Sequence, residues 1–167
     1  MGPGVAVAAE RPRRLLWVNH FSVGPTEAGG TRHYEMARAL QPFGWEVTIA
    51  ASDFNLLQRT FSRRGEGNRS TVRESIDGVS IRWLYATPYQ RNDGRRLLNW
   101  LSFARQLVRE DWGKEPPDVI IGSSPHLFAA WGARRVAQRL GKPFVFEVRD
   151  LWPESLVAAG RPRTPGY

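Results

Sequence analysis

With 167 residues, 41% of them hydrophobic and 24% charged, the chain can build one domain with a core and is short for two. The absence of cysteine excludes disulfides, cysteine-bound zinc and thiol catalysis, and fits a reducing compartment. A formal net charge of +8 suits phosphate, nucleic acid or anionic lipid as partners.

Every basic residue except Lys114 and Lys142 is arginine. Arginine binds phosphate in bidentate fashion better than lysine does. In a chain rich in Ala, Gly and Pro, the same bias also follows from a GC-rich coding sequence. No apolar run reaches the roughly 18 residues of a bilayer span. Residues 1–13 are rich in Ala, Gly and Pro, with their arginines after the apolar part, the reverse of a secretory signal. They read as a disordered tail on a cytoplasmic protein.

Residues 15–19 form a short apolar run of strand type, followed by a turn-rich loop that ends in Gly29-Gly30. Thr31 is placed to cap a helix on which Tyr34, Ala37 and Leu40 recur at helical period, and Gly44 suits its end. A β-branched run at 46–51 completes a strand–loop–helix–strand unit. The glycine pair matches neither the spaced dinucleotide fingerprint nor a P-loop. It is a tight turn, or a backbone without side chains that lets phosphate or sugar approach a helix start. Arg32 and His33 in that first turn suit an anion there, whereas the helix dipole itself favours acids.

Residues 53–70 are polar and basic and read as a mobile excursion. Asp77-Gly78 between two strand-like segments predicts a hairpin. Over 95–111, Leu97, Leu98, Trp100, Leu101, Ala104, Leu107 and Val108 make a helical stripe flanked by arginines. It fits a helix packed on the sheet, or one lying on a membrane surface. The run 118–122 reads as a buried parallel strand, leading through Ser123-Ser124-Pro125-His126 into a helix over 128–140 with Arg134, Arg135 and Arg139 exposed. His126 is a helix-start residue or a donor to sugar or phosphate.

A final strand over 143–148 ends in Glu147, Arg149 and Asp150, then Leu151-Trp152-Pro153-Glu154-Ser155. Open α/β sheets bind ligands at such strand ends. Glu147 faces either the cleft or Arg149. Glu154 favours a helix start at Pro153 or contacts substrate. The predicted fold class is α/β: a Rossmann-like parallel sheet with flanking helices and a β-hairpin insertion.

Four stretches carry a resemblance: Gly-Gly-Thr-Arg-His-Tyr-Glu at 29–35, Gly-Trp-Glu-Val-Thr at 44–48, Ile-Gly-Ser-Ser-Pro-His at 121–126 and Phe-Glu-Val-Arg-Asp-Leu-Trp-Pro-Glu-Ser at 146–155. Together they resemble the N-terminal domain of family-four GT-B glycosyltransferases, in the bacterial cell-surface polysaccharide branch. The resemblance covers roughly 15–160. It implies retaining transfer from a nucleotide sugar to a saccharide acceptor, lipid-linked by the branch, with no metal and no cofactor beyond that sugar donor. It implies a glycine loop of Gly29, Gly30, Thr31 and Arg32 near the donor phosphates, with Ser124, His126, Glu147 and Glu154 as further substrate contacts. It also places Arg149-Asp150 where many relatives have His-Asp. Arg149 there would stabilise charge and cannot act as a base, because its guanidinium stays protonated. Asp150 would orient an acceptor hydroxyl or stabilise positive charge on the sugar.

On this reading, 14–160 is the acceptor-side domain and 161–167 an irregular tail. The family's donor-binding domain is missing, as in a frameshift, a premature stop, a gene fragment or a split transferase with a separate donor-domain chain. The chain alone is then expected to be inactive. A basic protein that binds nucleic acid or an anionic membrane, for instance at the inner face of the plasma membrane, is the competing class. Nucleic acid ranks last, since no such motif is visible.

Overall fold

The computed structural model describes residues 11–65, 67–91 and 94–149. Eight strands and three α-helices follow in chain order: β1 (Arg13–Val18), α1 (Arg32–Leu40), β2 (Trp45–Ser52), β3 (Phe54–Asn55), β4 (Thr60–Phe61), β5 (Val72–Ile76), β6 (Val79–Leu84), α2 (Gly94–Arg109), β7 (Val119–Ser123), α3 (Leu127–Leu140) and β8 (Phe144–Glu147). A short 3-10 turn, Gln41–Phe43, extends α1, and Gly44 closes it in the left-handed conformation at φ 76°.

Six strands make one sheet in the order β5-β6-β2-β1-β7-β8, and all pairs but β5–β6 are parallel. The predicted Rossmann-like sheet with a hairpin is thus present. The central strands are apolar on both faces because both faces are covered. Leu15, Trp17, Val47, Ile49, Ile81 and Trp83 pack with Tyr34 and Ala37 of α1. Leu16, Val18, Ala50, Leu84 and Ile120 pack on the other side, with Phe103 and Leu107 of α2 and a run of alanines on α3. Gly122 lets α3 sit close: a Cβ there would lie 3.0 Å from Ala130 Cα and from Ala133 Cβ. The hairpin turns on Asp77 (φ 47°) and Gly78 (φ 78°), a pair of positive φ angles that matches the strand twist.

Two local expectations are corrected, and a third, a helix packed on the sheet, is met with only part of its stripe buried. First, β1 begins at Arg13, and Arg11 pairs with Asp118 at 2.6 Å, so residues 11–13 belong to the fold rather than to a tail. Second, the 53–70 stretch is held in place rather than mobile. Asp53 and Arg64 form a fully buried pair at 2.8 Å, and Arg64 also donates to the carbonyls of Ser70 and Trp83. Arg63 lies 3.5 Å above the Trp83 ring and bonds Glu27 and Glu74. Third, α2 buries Asn99, Phe103, Ala104 and Leu107, while Leu97, Leu98 and Leu101 stay 45%, 53% and 41% exposed. The helix meets α3 and β6 along a seam narrower than its apolar stripe, so among the described residues the leucines beside the seam are left uncovered. Among the described residues no helix is long and apolar enough to cross a membrane.

Removing one partner of a buried ion pair leaves an uncompensated charge, at a cost of about 3–5 kcal/mol. Arg64→Met should therefore destabilise the chain by about that much in urea unfolding. Arg134→Ala, on the exposed face of α3, should change stability by less than about 0.5 kcal/mol.

Candidate functional site

β1 and β7 are neighbours at the middle of the sheet, but the chain leaves them in opposite directions, towards β2 and towards β8. Such a divergence opens a crevice at the carboxyl ends of the strands. Here it is walled by the loop after β1, the first turn of α1, the 123–126 segment and the end of β8.

Glu147, the last residue of β8, is the focus of this edge. The β7–β8 register sets Ser123 opposite Glu147. The Ser123 hydroxyl donates to Glu147 Oε2. Trp17 Nε1, from β1, donates to the same carboxylate at 3.2 Å and to Ser123 Oγ at 3.1 Å. From α1, Arg32 reaches Glu147 Oε1 at 2.6 Å. Burial alone would raise the Glu147 carboxyl, but the bonds from Ser123, Arg32 and Trp17 outweigh it and hold its pKa below the usual value. Glu147 is therefore ionised at neutral pH and faces Arg32, not Arg149.

His33 lies under the same cluster, 1% exposed. Asn19 Oδ1 accepts from Phe21 N, which leaves its Nδ2 to donate to His33 Nε2 at 3.1 Å. Burial, then the positive charge of Arg149, lowers the His33 pKa to about 4. His33 is thus a neutral interior group and not the anion ligand its place in the first turn suggested. Arg32 alone of that pair stays partly open, with 44% of its side chain exposed while it contacts Glu147.

Gly29 takes φ 150°, and a Cβ there would strike the Val23 methyls at 3.0 Å; at Gly30 a Cβ would meet nothing within 4 Å. Gly29 therefore shapes the turn, and Gly30 leaves open space beside the helix start. Both glycines line a cavity of about 250 Å3 that also touches Asp53, Ser62 and Arg63. Thr31 adopts helical φ and ψ and makes no side-chain cap, so the expected cap is absent. Ser124 Oγ accepts from the backbone N of Arg149 at 2.8 Å, which joins the start of the β7 loop to the end of β8. His126 is the N-cap of α3, its Nδ1 accepting from Ala129 N at 3.3 Å. Burial, then Arg96, lowers its pKa to about 4.

The structure thus brings Gly29, Gly30, Arg32, Ser124, Glu147 and the Arg149 backbone to one edge. Asp150 and Glu154 lie outside the described residues, as do 1–10 and 151–167. Sequence reasoning missed Trp17, Asn19 and Ser123. Their only sequence signal is a polar or indole side chain at the end of an apolar strand.

A family model described as "Glycosyl transferase 4-like domain" matches residues 28–165. The chain is 29% identical over 149 residues to a D-inositol 3-phosphate glycosyltransferase of Frankia alni, a match covering 86% of this chain and 34% of that protein. It is 29% identical over 131 residues to one of Jonesia denitrificans, covering 77% of this chain and 28% of that protein. The chain therefore spans about a third of the length of these curated relatives. Two solved structures share its fold. The glycotransferase of kitacinnamycin superposes with a TM-score of 0.51 at 18% identity, over 89% of this chain and 35% of that one. A C-terminal domain of a Pyrococcus furiosus hydrogenase superposes with 0.52 at 20% identity, over 87% and 99%. At those identities the likeness is one of fold alone.

His20 is also pushed well below the ordinary histidine value by burial, then by His126. All three histidines are thus neutral when folded and near 6.5 when unfolded. Between pH 6.5 and about 4 the unfolded chain takes up protons that the folded chain refuses, so stability falls as pH falls. Each histidine should contribute about 1.4 kcal/mol per pH unit in that window. Urea unfolding should be flat between pH 7 and 8 and weaken steadily from pH 6.5 to 5. His33→Gln should make that decline shallower.

Proposed function

Because the chain belongs to the glycosyl transferase 4-like domain family, we propose that it forms the acceptor side of a retaining transferase. The enzyme would move a sugar from a nucleotide sugar to a saccharide acceptor without a metal ion. The observation that carries this reading is the cluster of Arg32, Glu147 and Ser123 at the switch point, beside the open backbone of Gly30.

The chemistry suits those groups. Leaving of a nucleoside diphosphate builds negative charge, and prearranged N–H donors and guanidinium groups stabilise it. Gly29 and Gly30 admit phosphate oxygens to the start of α1. Arg32, held by Glu147, and Arg149, at the strand end, supply positive charge. Asp150 orients the attacking hydroxyl or stabilises positive charge on the sugar, and Ser124, His126 and Glu154 complete the acceptor wall. A second domain, in the same polypeptide or in a partner chain, would bind the nucleotide. The acceptor is a lipid-linked saccharide of cell-surface polysaccharide synthesis, encountered at the cytoplasmic face of the membrane. The names of the relatives support a second acceptor reading, a soluble inositol phosphate. The net charge of +8 favours a phosphate-bearing acceptor in either case.

The test is transfer by a polypeptide joining this chain to the donor-binding half of the Frankia alni relative. Radiolabelled nucleotide sugars and phosphate-bearing acceptors would be supplied. We expect a product that keeps the donor's anomeric configuration, and a loss of about 100-fold or more in kcat/KM for Arg149→Ala. An inverted product, or an Arg149→Ala variant as fast as the parent, would overturn the reading.

A further inference from the structure

On the face opposite α1, α2 and α3 line a groove of about 790 Å3. It is lined by Phe21, Trp100, Leu101, His126, Leu127 and Trp131. Its walls are almost wholly carbon. Leu127, Trp131 and Leu101 are 68%, 50% and 41% exposed. A continuous apolar surface of this kind marks a binding site more often than bare surface. Its volume falls within the roughly 300–1,000 Å3 of ligand pockets.

Along this apolar surface lie polar groups that find no partner among the described residues. Arg96 sits over the Trp100 ring at 5.0 Å, and Trp100 stacks on His126 at 5.0 Å with 12° between the planes. In this column, Arg96 Nε, Trp100 Nε1 and His126 Nε2 are buried and have no hydrogen-bond partner among the described residues. His126 Nδ1 accepts from Ala129 N, so the imidazole proton sits on Nε2. His126 itself is only 6% exposed. All three unmet groups are therefore N–H donors, and unmet buried donors call for an explanation. They need oxygen acceptors, while the walls need hydrocarbon. Exposed Arg135 lies against Trp131 at 5.5 Å and Arg96 against Trp100, so an anionic head is favoured over a neutral one.

We propose that this groove seats the hydrocarbon chain of a lipid phosphate, whose oxygens meet the Arg96–Trp100–His126 column. The inference rests on the reading of this domain as an acceptor side and selects the lipid-linked acceptor over the soluble one. Its place in the fold agrees. His126 is two residues from Ser124, which holds the Arg149 backbone, so a head group on the column lies at the same sheet edge as the proposed transfer site. A single chain fills a concavity, whereas a flat bilayer surface would leave it empty.

The test is isothermal titration of this chain with farnesyl phosphate below its micelle concentration, with farnesol and inorganic phosphate as separate probes. Farnesyl phosphate should bind at least tenfold more tightly than either probe. Leu101→Glu and Trp131→Glu should each weaken it at least tenfold. Both replace exposed side chains, and circular dichroism would confirm their folding. Trp100→Phe should weaken farnesyl phosphate more than farnesol. The proposal is overturned if farnesyl phosphate does not bind, if the Glu variants bind it equally well, or if only phosphatidylglycerol vesicles bind. That last result would make the patch a membrane face. Transfer to a soluble saccharide by the joined polypeptide separates the two readings. Transfer without farnesyl phosphate binding removes the groove alone; binding without transfer removes the proposed activity alone.

Discussion

The Glu147 carboxylate accepts bonds from Ser123 on β7 and Trp17 on β1, and it pairs with Arg32 at the start of α1. Four elements that are remote in sequence therefore meet on one charge. A half-buried carboxylate is raised by desolvation unless compensated, and three donors hold it ionised. The same carboxylate holds Arg32 at the start of α1 and lies 3.6 Å from His33 Nε2, which stays neutral beneath it. On the proposed function, charge at the sheet edge is arranged in advance of the substrate, which is what makes electrostatic stabilisation effective.

The two faces of the sheet divide the work. On the α1 face, polar groups converge on Glu147. On the α2–α3 face, an apolar groove runs along a column of donors that are unmet among the described residues. The Ser124-Pro125-His126 segment passes between them, with Ser124 bonded to the Arg149 backbone and His126 capping α3. Far along the other flank, Arg63 joins the loop after β1 to the hairpin through Glu27 and Glu74. The buried Asp53–Arg64 pair fixes the wall behind it. The cavity at Gly29 and Gly30 therefore has an ordered rim.

Much of this architecture was legible in the sequence because it is written locally. Apolar runs marked the buried strands, Asp77-Gly78 marked the hairpin and Gly44 marked the end of the first helix. What was not legible depends on register and on long-range packing. Ser123 and Glu147 meet because β7 and β8 pair with those two residues opposite, a fact no single segment carries. Arg64 sits in a basic, polar run that reads as solvated, yet it is buried because Asp53 awaits it eleven residues earlier. On α2 the stripe was visible, but which leucines find a neighbour depends on where α3 and β6 lie. His33 looked like an anion ligand from its place in the first turn, and only its burial shows why it is neutral there at neutral pH.

The most direct test of the account is a double-mutant cycle between Arg32 and Glu147, read as kcat/KM for sugar transfer in the joined polypeptide. If Glu147 acts by holding Arg32 in place, Arg32→Gln and Glu147→Gln should each slow transfer by about tenfold or more, and the double variant should be little slower than either. Fully additive losses, or single variants as fast as the parent, would contradict it.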